Sequence, residues 1–291
     1  MRRWIPAAAV AAVAMAIAAR AADDGSPFPY CPIVDGGRED FAALSLGIAP
    51  DEAIEGVGED FGFLEWQAHV SLGYYRTSSG DIDLSLGGRM WTPTDGTGFG
   101  LPSSFGEGYL RARWDLRTTQ GLTLRAEIFP GYYGGSSEME WDNFNVPFAM
   151  SGIQAFGPEV AVQGGFRVHP GYAFDPIVGV RWAPHRDVTL DAAYPETRIS
   201  WRLHPAVSLL AGYQVNRMWR FSLDDDDPGG DLMMQDHRLY AGANVTIGGL
   251  MTLTVRAGSL MHRTIDYTHG SLPEGDIDDG FFCAFGVTGE F

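Results

Sequence analysis

The chain has 291 residues, 45% of them apolar, with a formal charge of −17 and 20 basic residues that are all arginine. So acidic a chain is a poor partner for nucleic acid. Its 38 glycines, roughly double the ordinary share, disfavour long helices and suit strands, bulges and turns. The two cysteines, Cys31 and Cys283, form neither a CxxC motif nor a zinc spacing.

The N-terminus reads as an export signal. Arg2 and Arg3 are followed by an apolar run from Trp4 to Ala19, and Ala19-Arg20-Ala21 supplies the small residues of a cleavage site. A membrane anchor is the alternative, but the apolar run is shorter than the ~20 residues that a spanning helix needs. Cleavage after Ala21 removes three arginines and no acid. Tyr30-Cys31 lacks the small apolar residues of a lipid-attachment signal.

Residues 22–62 are acidic and rich in Gly and Pro. They read as a periplasmic lead-in, with a plug inside the body of the protein as the alternative.

From residue 63 onward the dominant pattern is alternation with period two. Trp66, Ala68, Val70, Leu72 and Tyr74 share one face of the first segment, opposite Glu65, Gln67, His69 and Ser71. Ile82, Leu84 and Leu86 then oppose Asp81, Asp83, Ser85 and Arg89. Leu110, Ala112, Trp114 and Leu116 oppose Arg111, Arg113, Asp115 and Arg117; Leu122, Leu124 and Ala126 oppose Thr123, Arg125 and Glu127. The same pattern covers 160–168, 178–182, 188–194, 199–203, 207–215, 239–247, 251–257 and 281–291. Each segment approaches the ~9–11 residues of a tilted membrane strand.

A soluble sandwich also alternates, but three features favour a transmembrane barrel. Arginines sit at strand centres. Aromatics gather at segment ends (Tyr74, Tyr75, Trp91, Tyr132, Tyr133, Trp182, Tyr194, Trp219, Phe221), as an interfacial girdle requires. The chain ends in Phe291 behind an alternating Phe281, Phe285 and Val287, which resembles the terminal strand that barrel-assembly machinery recognises.

Short links at Thr118–Gly121, Pro184–Asp187, His204–Ala206 and Gly248-Gly249 fit the periplasmic end. Long links near 92–106, 130–146, 222–236 and 264–280 fit the outer end. This parity needs 146–156 as a strand turning at Gly157-Pro158-Glu159. The segment count then becomes odd, and Phe41–Ile48 is available as the missing member. The expectation is an all-β, antiparallel, up-and-down transmembrane barrel of about 12–14 strands. The expected organisation is a signal peptide at 1–21, the acidic segment at 22–62 and the barrel at 63–291.

Between Pro176 and Phe291 the chain resembles a family of uncharacterised bacterial outer-membrane barrel proteins. The resemblance rests on PIVGVRWAPHRDVTLDAAYPETRISWRLHPAVSLLAGYQV and on HRLYAGANVTIGGLMTLTVRAG. It implies the barrel fold and the outer membrane, and it carries no activity, substrate or catalytic residue.

Alternation places Arg89, Arg111, Arg113, Arg125, Arg167, Arg181, Arg202 and Arg256 toward the lumen. Arg117, Arg198 and Arg238 join them, against Glu65, Asp81, Asp83, Asp115, Glu127, Asp191 and Glu290. A ring of arginines in water favours anions; a lumen packed with Arg–carboxylate pairs is the other reading. Large inward residues (Phe282, Tyr240, Leu210) argue for filling, and inward glycines such as Gly87, Gly165 and Gly212 argue for space.

Asp224, Asp225, Asp226, Asp227 and Asp231 form an outer-loop acidic cluster with the chemistry of a hard-cation site, but adjacent carboxylates converge poorly. His69 and Ser71 share a face, yet a lipid-cleaving pair belongs on the membrane side. Gly96-Thr97-Gly98-Phe99-Gly100 lacks the lysine of a phosphate loop. Cys283 alternates with Phe281 and Phe285 and so faces lipid.

The leading expectation is a monomeric outer-membrane pore for small solutes, with anion preference and no cofactor. Its other partners are membrane lipid and the assembly machinery. A closed structural or surface-binding barrel acting through acidic outer loops is the second reading, and an outer-membrane lipid hydrolase the third.

Overall fold

In the computed structural model the described residues are 42–53, 60–94, 104–118, 121–135, 141–169, 174–222, 231–267 and 275–289. They form one antiparallel barrel of 14 strands. The strands in chain order are β1 (Ala42–Ala53), β2 (Asp60–Arg76), β3 (Gly80–Pro93) and β4 (Phe105–Arg117). The next wall strand is made of β5 (Leu122–Ile128) and β6 (Gly131–Gly135), interrupted at Phe129-Pro130, and its neighbour of β7 (Phe144–Asn145) and β8 (Phe148–Ala155). Then come β9 (Val160–Val168), β10 (Phe174–His185), β11 (Val188–Tyr194), β12 (Glu196–His204), β13 (Val207–Ser222), β14 (Asp231–Ile247) and β15 (Met251–Tyr267). The last wall strand joins β16 (Gly275–Ile277) to β17 (Gly280–Gly289).

Closure is made by β1, which pairs with β2 on one side and with β17 on the other, from Ala42↔Gly289 to Ile48↔Cys283. The sheet therefore has no free edge at its seam, which is what a strand protein in hydrocarbon requires. This corrects the expected boundary: the wall starts at Ala42, not at residue 63. The stretch offered as a missing strand, Phe41–Ile48, is the core of β1, and 146–156 supplies β8. The proline- and acid-containing end of β1 (Pro50, Asp51, Glu52) hid the rest of that strand, and it crosses a register shift between Ala49 and Glu52.

Tight turns gather at the end where β1 begins and β17 finishes, as the parity of link lengths demands; by that rule this is the periplasmic end. Gly248 and Gly249, both with φ near +65° (63° and 66°), make one of them, and a turn with two consecutive left-handed residues favours glycine at both positions. Gly157, at φ 90°, makes another.

The two faces of the wall differ as alternation requires. Trp66, Leu86, Trp114, Leu239, Val255 and Phe285 point outward and are exposed; Gln67, Arg113, Tyr240, Arg256 and Ala284 point inward and are buried. An exposed apolar surface of this extent suits lipid and not water. No described helix is long and apolar enough to cross a membrane; the crossing is made by strands. Val255→Arg, near the middle of the band, is expected to destabilise the folded barrel by about 2–4 kcal/mol, measured by denaturant unfolding in lipid vesicles.

The outer rim is uneven. β2, β14 and β15 have 17 residues and β13 has 16, whereas β11 has 7 and β12 has 9. β11 and β12 are joined directly at Pro195, whose carbonyl accepts from the Val215 amide at 2.8 Å. β13 continues past this step, and its end at Ser222 bridges in parallel to Gly134 of β6. The long strands on either side thus come together above the short ones. The ring above the step has fewer strands than the ring below it, and a ring of roughly eight strands is narrow enough for its own side chains to fill.

Candidate functional site: the barrel lumen

The narrowed outer part is filled. Phe61 and Phe63 of β2, Trp91 of β3, Phe105 of β4 and Tyr133 of β6 point inward, facing Met234 of β14, Leu260 and Ile265 of β15 and Ile277 of β16. Phe61, Phe105 and Leu260 are 0% exposed and Trp91 1%. Trp91 stacks on Phe105 with ring centroids 5.9 Å apart, and the Arg89 guanidinium lies over the Trp91 ring at 4.3 Å. Trp91 and Tyr133, expected in the girdle from their place at segment ends, point into the lumen instead. Trp91 shares the parity of Arg89, so the rule that turns Arg89 inward turns Trp91 inward too. Tyr75 and Trp182 do face outward and are exposed; Tyr74 is exposed at the rim but lies opposite inward Asp83, because a register shift between Ser71 and Gly73 reverses the alternation there.

Below this collar five side chains close a hydrogen-bonded ring across the lumen. Glu65 of β2 accepts from Arg89 Nε at 2.7 Å and from Arg238 Nη2 at 3.0 Å. Arg238 donates from Nε to Asp236 at 2.7 Å, Asp236 accepts from Asn216 Nδ2 at 3.0 Å, and Asn216 Oδ1 accepts from Arg89 Nη2 at 2.7 Å. Asn216 is on β13, Asp236 and Arg238 on β14, and these are separated from β2 in the wall by β15, β17 and β1. The ring is a strut across the interior. Its two arginines balance its two carboxylates, and each carboxylate is held by charge-assisted hydrogen bonds.

Toward the periplasm the two sides of the wall differ in chemistry. On the β4–β12 side arginines dominate. Arg125 grips Asp115 with two hydrogen bonds of 2.7 and 2.9 Å, and Arg113 approaches the same carboxylate at 3.5 Å. Arg181 grips Asp191 at 2.6 and 3.2 Å, and Arg198 joins it at 3.4 Å. Each aspartate is shared by two guanidinium groups; the Arg181–Asp191–Arg198 trio keeps one positive charge in excess, whereas buried Asp83, opposite Arg113 in register, offsets that of the other trio. Arg111 pairs with Glu127 at 2.7 Å, and Arg167 lies 5.7 Å from the Phe129 ring. The opposite side, on β14, β15, β17 and β1, carries Asn244, Thr252, Thr254, Thr288 and Ser45, which are neutral and buried.

The structure thus brings together most of the arginines picked out by alternation, but as buried or half-buried side chains, most of them in ion pairs, and not as an open ring. Arg117 and Arg202 are exposed, at the periplasmic ends of β4 and β12. Arg256 pairs with Glu196 at 3.4 Å, beneath Tyr240, whose hydroxyl also donates to Glu196. Glu107, Asp175, Glu196, Asn216, Asp236 and Arg263 also face inward and were missed. Glu196 and Asp236 fell in stretches read as loops, and their acids shrink the arginine excess expected of the lumen. Their signal was present: Glu196 shares the parity of Arg198, and Asp236 that of Arg238.

Leu210, Tyr240 and Phe282 are inward and buried, as the filling argument required. His69 and Ser71 face inward, Ser71 opposite buried Ser85, and Cys283 lies outward between exposed Phe281 and Phe285. Among the described residues no group of three or more His, Cys, Asp or Glu could hold a metal ion. Asp224, Asp225, Asp226 and Asp227, Cys31 and Phe291, like the signal at 1–21, lie outside the described residues. Asp231 opens β14, with only its backbone described.

No protein-family model matches the chain, and no curated protein matches it. Among solved structures it is similar to the COG4313 outer membrane channel from Pseudomonas putida F1, with a TM-score of 0.48 and 14% identity, covering 89% of this chain and 100% of that one. It is also similar to the NanC porin (TM-score 0.43, 7% identity, 86% and 100% covered) and to LpxR from Salmonella typhimurium (TM-score 0.36, 9% identity, 86% and 99% covered).

Proposed function

We propose that this protein is a monomeric outer-membrane channel that passes small solutes and prefers anions. The observation that carries the reading is the pair of Arg–Asp–Arg trios, Arg113–Asp115–Arg125 and Arg181–Asp191–Arg198, on one side of the lumen. Fixed positive charge along a confined polar wall lowers the barrier for an anion and raises it for a cation. In the described state the strut and the collar fill the outer half, so passage requires the Glu65–Arg238 and Arg89–Asn216 contacts to part and the collar side chains to move aside. Replacing Arg113, Arg125, Arg181 and Arg198 with glutamine is expected to abolish anion preference while single-channel steps persist. A zero-current potential in a salt gradient unchanged by the four substitutions would place selectivity elsewhere.

A second reading, a closed structural or surface-binding barrel, draws support from the same strut and collar. It predicts a correctly folded barrel that carries no current. In either case the outward face is solvated by lipid, and Phe291 is the segment offered to the assembly machinery.

A further inference from the structure

In its outer part, strand β15 carries one residue more than its partner β14. Gln235 lies opposite Thr264 and His237 opposite Met261, so His262 and Arg263 together face the single Asp236. The extra residue is His262, at φ 48°, a left-handed backbone that residues other than glycine adopt only at a cost. Its amide donates to Asp279 Oδ1 at 3.2 Å, which holds the bulge in place.

The bulge decides what enters the collar. Below it the buried, inward positions of β15 are even-numbered: Thr254, Arg256 and Leu260. Unbroken alternation would turn His262 inward and leave Arg263 outside. The inserted residue reverses the parity, so His262 is exposed while Arg263 and Ile265 are buried. The result is a guanidinium among apolar side chains. Leu260 and Ile265 flank Arg263 along the strand, Ile277 lies opposite it, and Phe61 approaches it from β2.

That guanidinium has no carboxylate of its own among the described residues. Its one hydrogen bond is long, from Nη2 to the Phe61 carbonyl at 3.5 Å, and Nη1 has no partner. Asp236, the inward acid nearest in register, is committed to Arg238 and Asn216. Arg89, Arg125, Arg238 and Arg256, buried to a similar degree, each hold a carboxylate. Arginine does not shed its proton, and a buried charge without a counter-charge is strongly destabilising. A strained residue that delivers such a charge to the collar works against stability twice, which is the mark of a functional position.

We infer that Arg263 is the solute-binding residue of the collar, and that its ligand is a carboxylate with an apolar body. The planar guanidinium fork matches a carboxylate with two parallel hydrogen bonds. Phe61, Leu260, Ile265 and Ile277 offer the rest of the ligand an apolar surround, which a multiply charged, strongly hydrated oxyanion cannot use. The bound anion supplies the counter-charge that the protein withholds. Naming the class of anion deepens the channel reading above, on which the description of the ligand as a solute rests.

Benzoate is the probe, with uncharged benzamide and inorganic phosphate as comparisons, in denaturant unfolding of the refolded full-length mature chain in lipid vesicles. A ligand of the folded collar alone raises the unfolding midpoint in a saturable way. Benzoate is expected to do so, and benzamide and phosphate at the same concentrations are not. Arg263→Met is expected to raise the benzoate concentration needed by at least about tenfold, the loss of charge-assisted hydrogen bonds. Without ligand the same variant is expected to keep its midpoint or gain, because it removes an unpaired buried charge; an arginine held for structure alone would lower it on replacement. Equal benzoate responses in the two proteins, a phosphate response as large as that to benzoate, or a lowered midpoint in Arg263→Met would each overturn the inference. If Arg263→Met does not refold, Arg263→Gln takes its place in the benzoate comparison, and failure of both to refold overturns the inference as well. No current is read, so a barrel that does not conduct can still pass this test, and one that conducts can still fail it.

Discussion

Glu65→Ala is expected to destabilise the barrel by about 3–5 kcal/mol, the cost of removing one partner from a buried ion pair. Glu65 accepts from both Arg89 and Arg238, and its loss leaves those two arginines with Asp236 as the only carboxylate in the ring. Glu65→Ala with Arg238→Met restores the balance: Arg89 and Asp236 remain, joined through Asn216. The double variant is therefore expected to be more stable than the sum of the two single losses, by about 0.5–3 kcal/mol. Denaturant unfolding of all three variants in the same lipid measures the coupling. Additivity within about 0.5 kcal/mol would mean that the strut is not a unit.

Trp91→Ala is expected to cost about 3–5 kcal/mol, because a fully buried ring leaves a cavity between Phe105 and the Arg89 guanidinium. Its outward neighbour Met90, 41% exposed, is expected to lose much less on truncation to alanine. The comparison separates a collar residue from a girdle residue: a tryptophan anchored only at the membrane surface leaves no interior cavity. Heat-modification midpoints of the two variants check it, and equal midpoints would contradict the inward placement.

Alternation carried most of the fold. Arg111, Arg113 and Asp115 against Leu110, Ala112 and Trp114 describe a wall with one wet and one greasy face, and the structure places these residues so. The pattern weakened where strands rise beyond the hydrocarbon band, because residues there need not be apolar on the outside. That is why β14 was legible only from Leu239, although it begins at Asp231, and why Asp236 went unseen. β1 faded for a related reason: Pro50, Asp51 and Glu52 read as linker, although Ala42–Ile48 pairs on both sides.

The strut was not legible at all. Parity places Glu65, Arg89, Asp236 and Arg238 inside, but nothing local says that β2 and β14 come within hydrogen-bonding distance across the lumen. That depends on how the uneven strands draw the outer ring together, which is set by the short β11–β12 hairpin and by the bridge from Ser222 to Gly134.

The most direct test of the central claim is the zero-current potential of the refolded mature chain in a planar bilayer under a salt gradient. The account predicts discrete steps and a potential displaced toward the chloride equilibrium value. Steps displaced toward the potassium value would contradict it, and so would a folded, heat-modifiable barrel that carries no current.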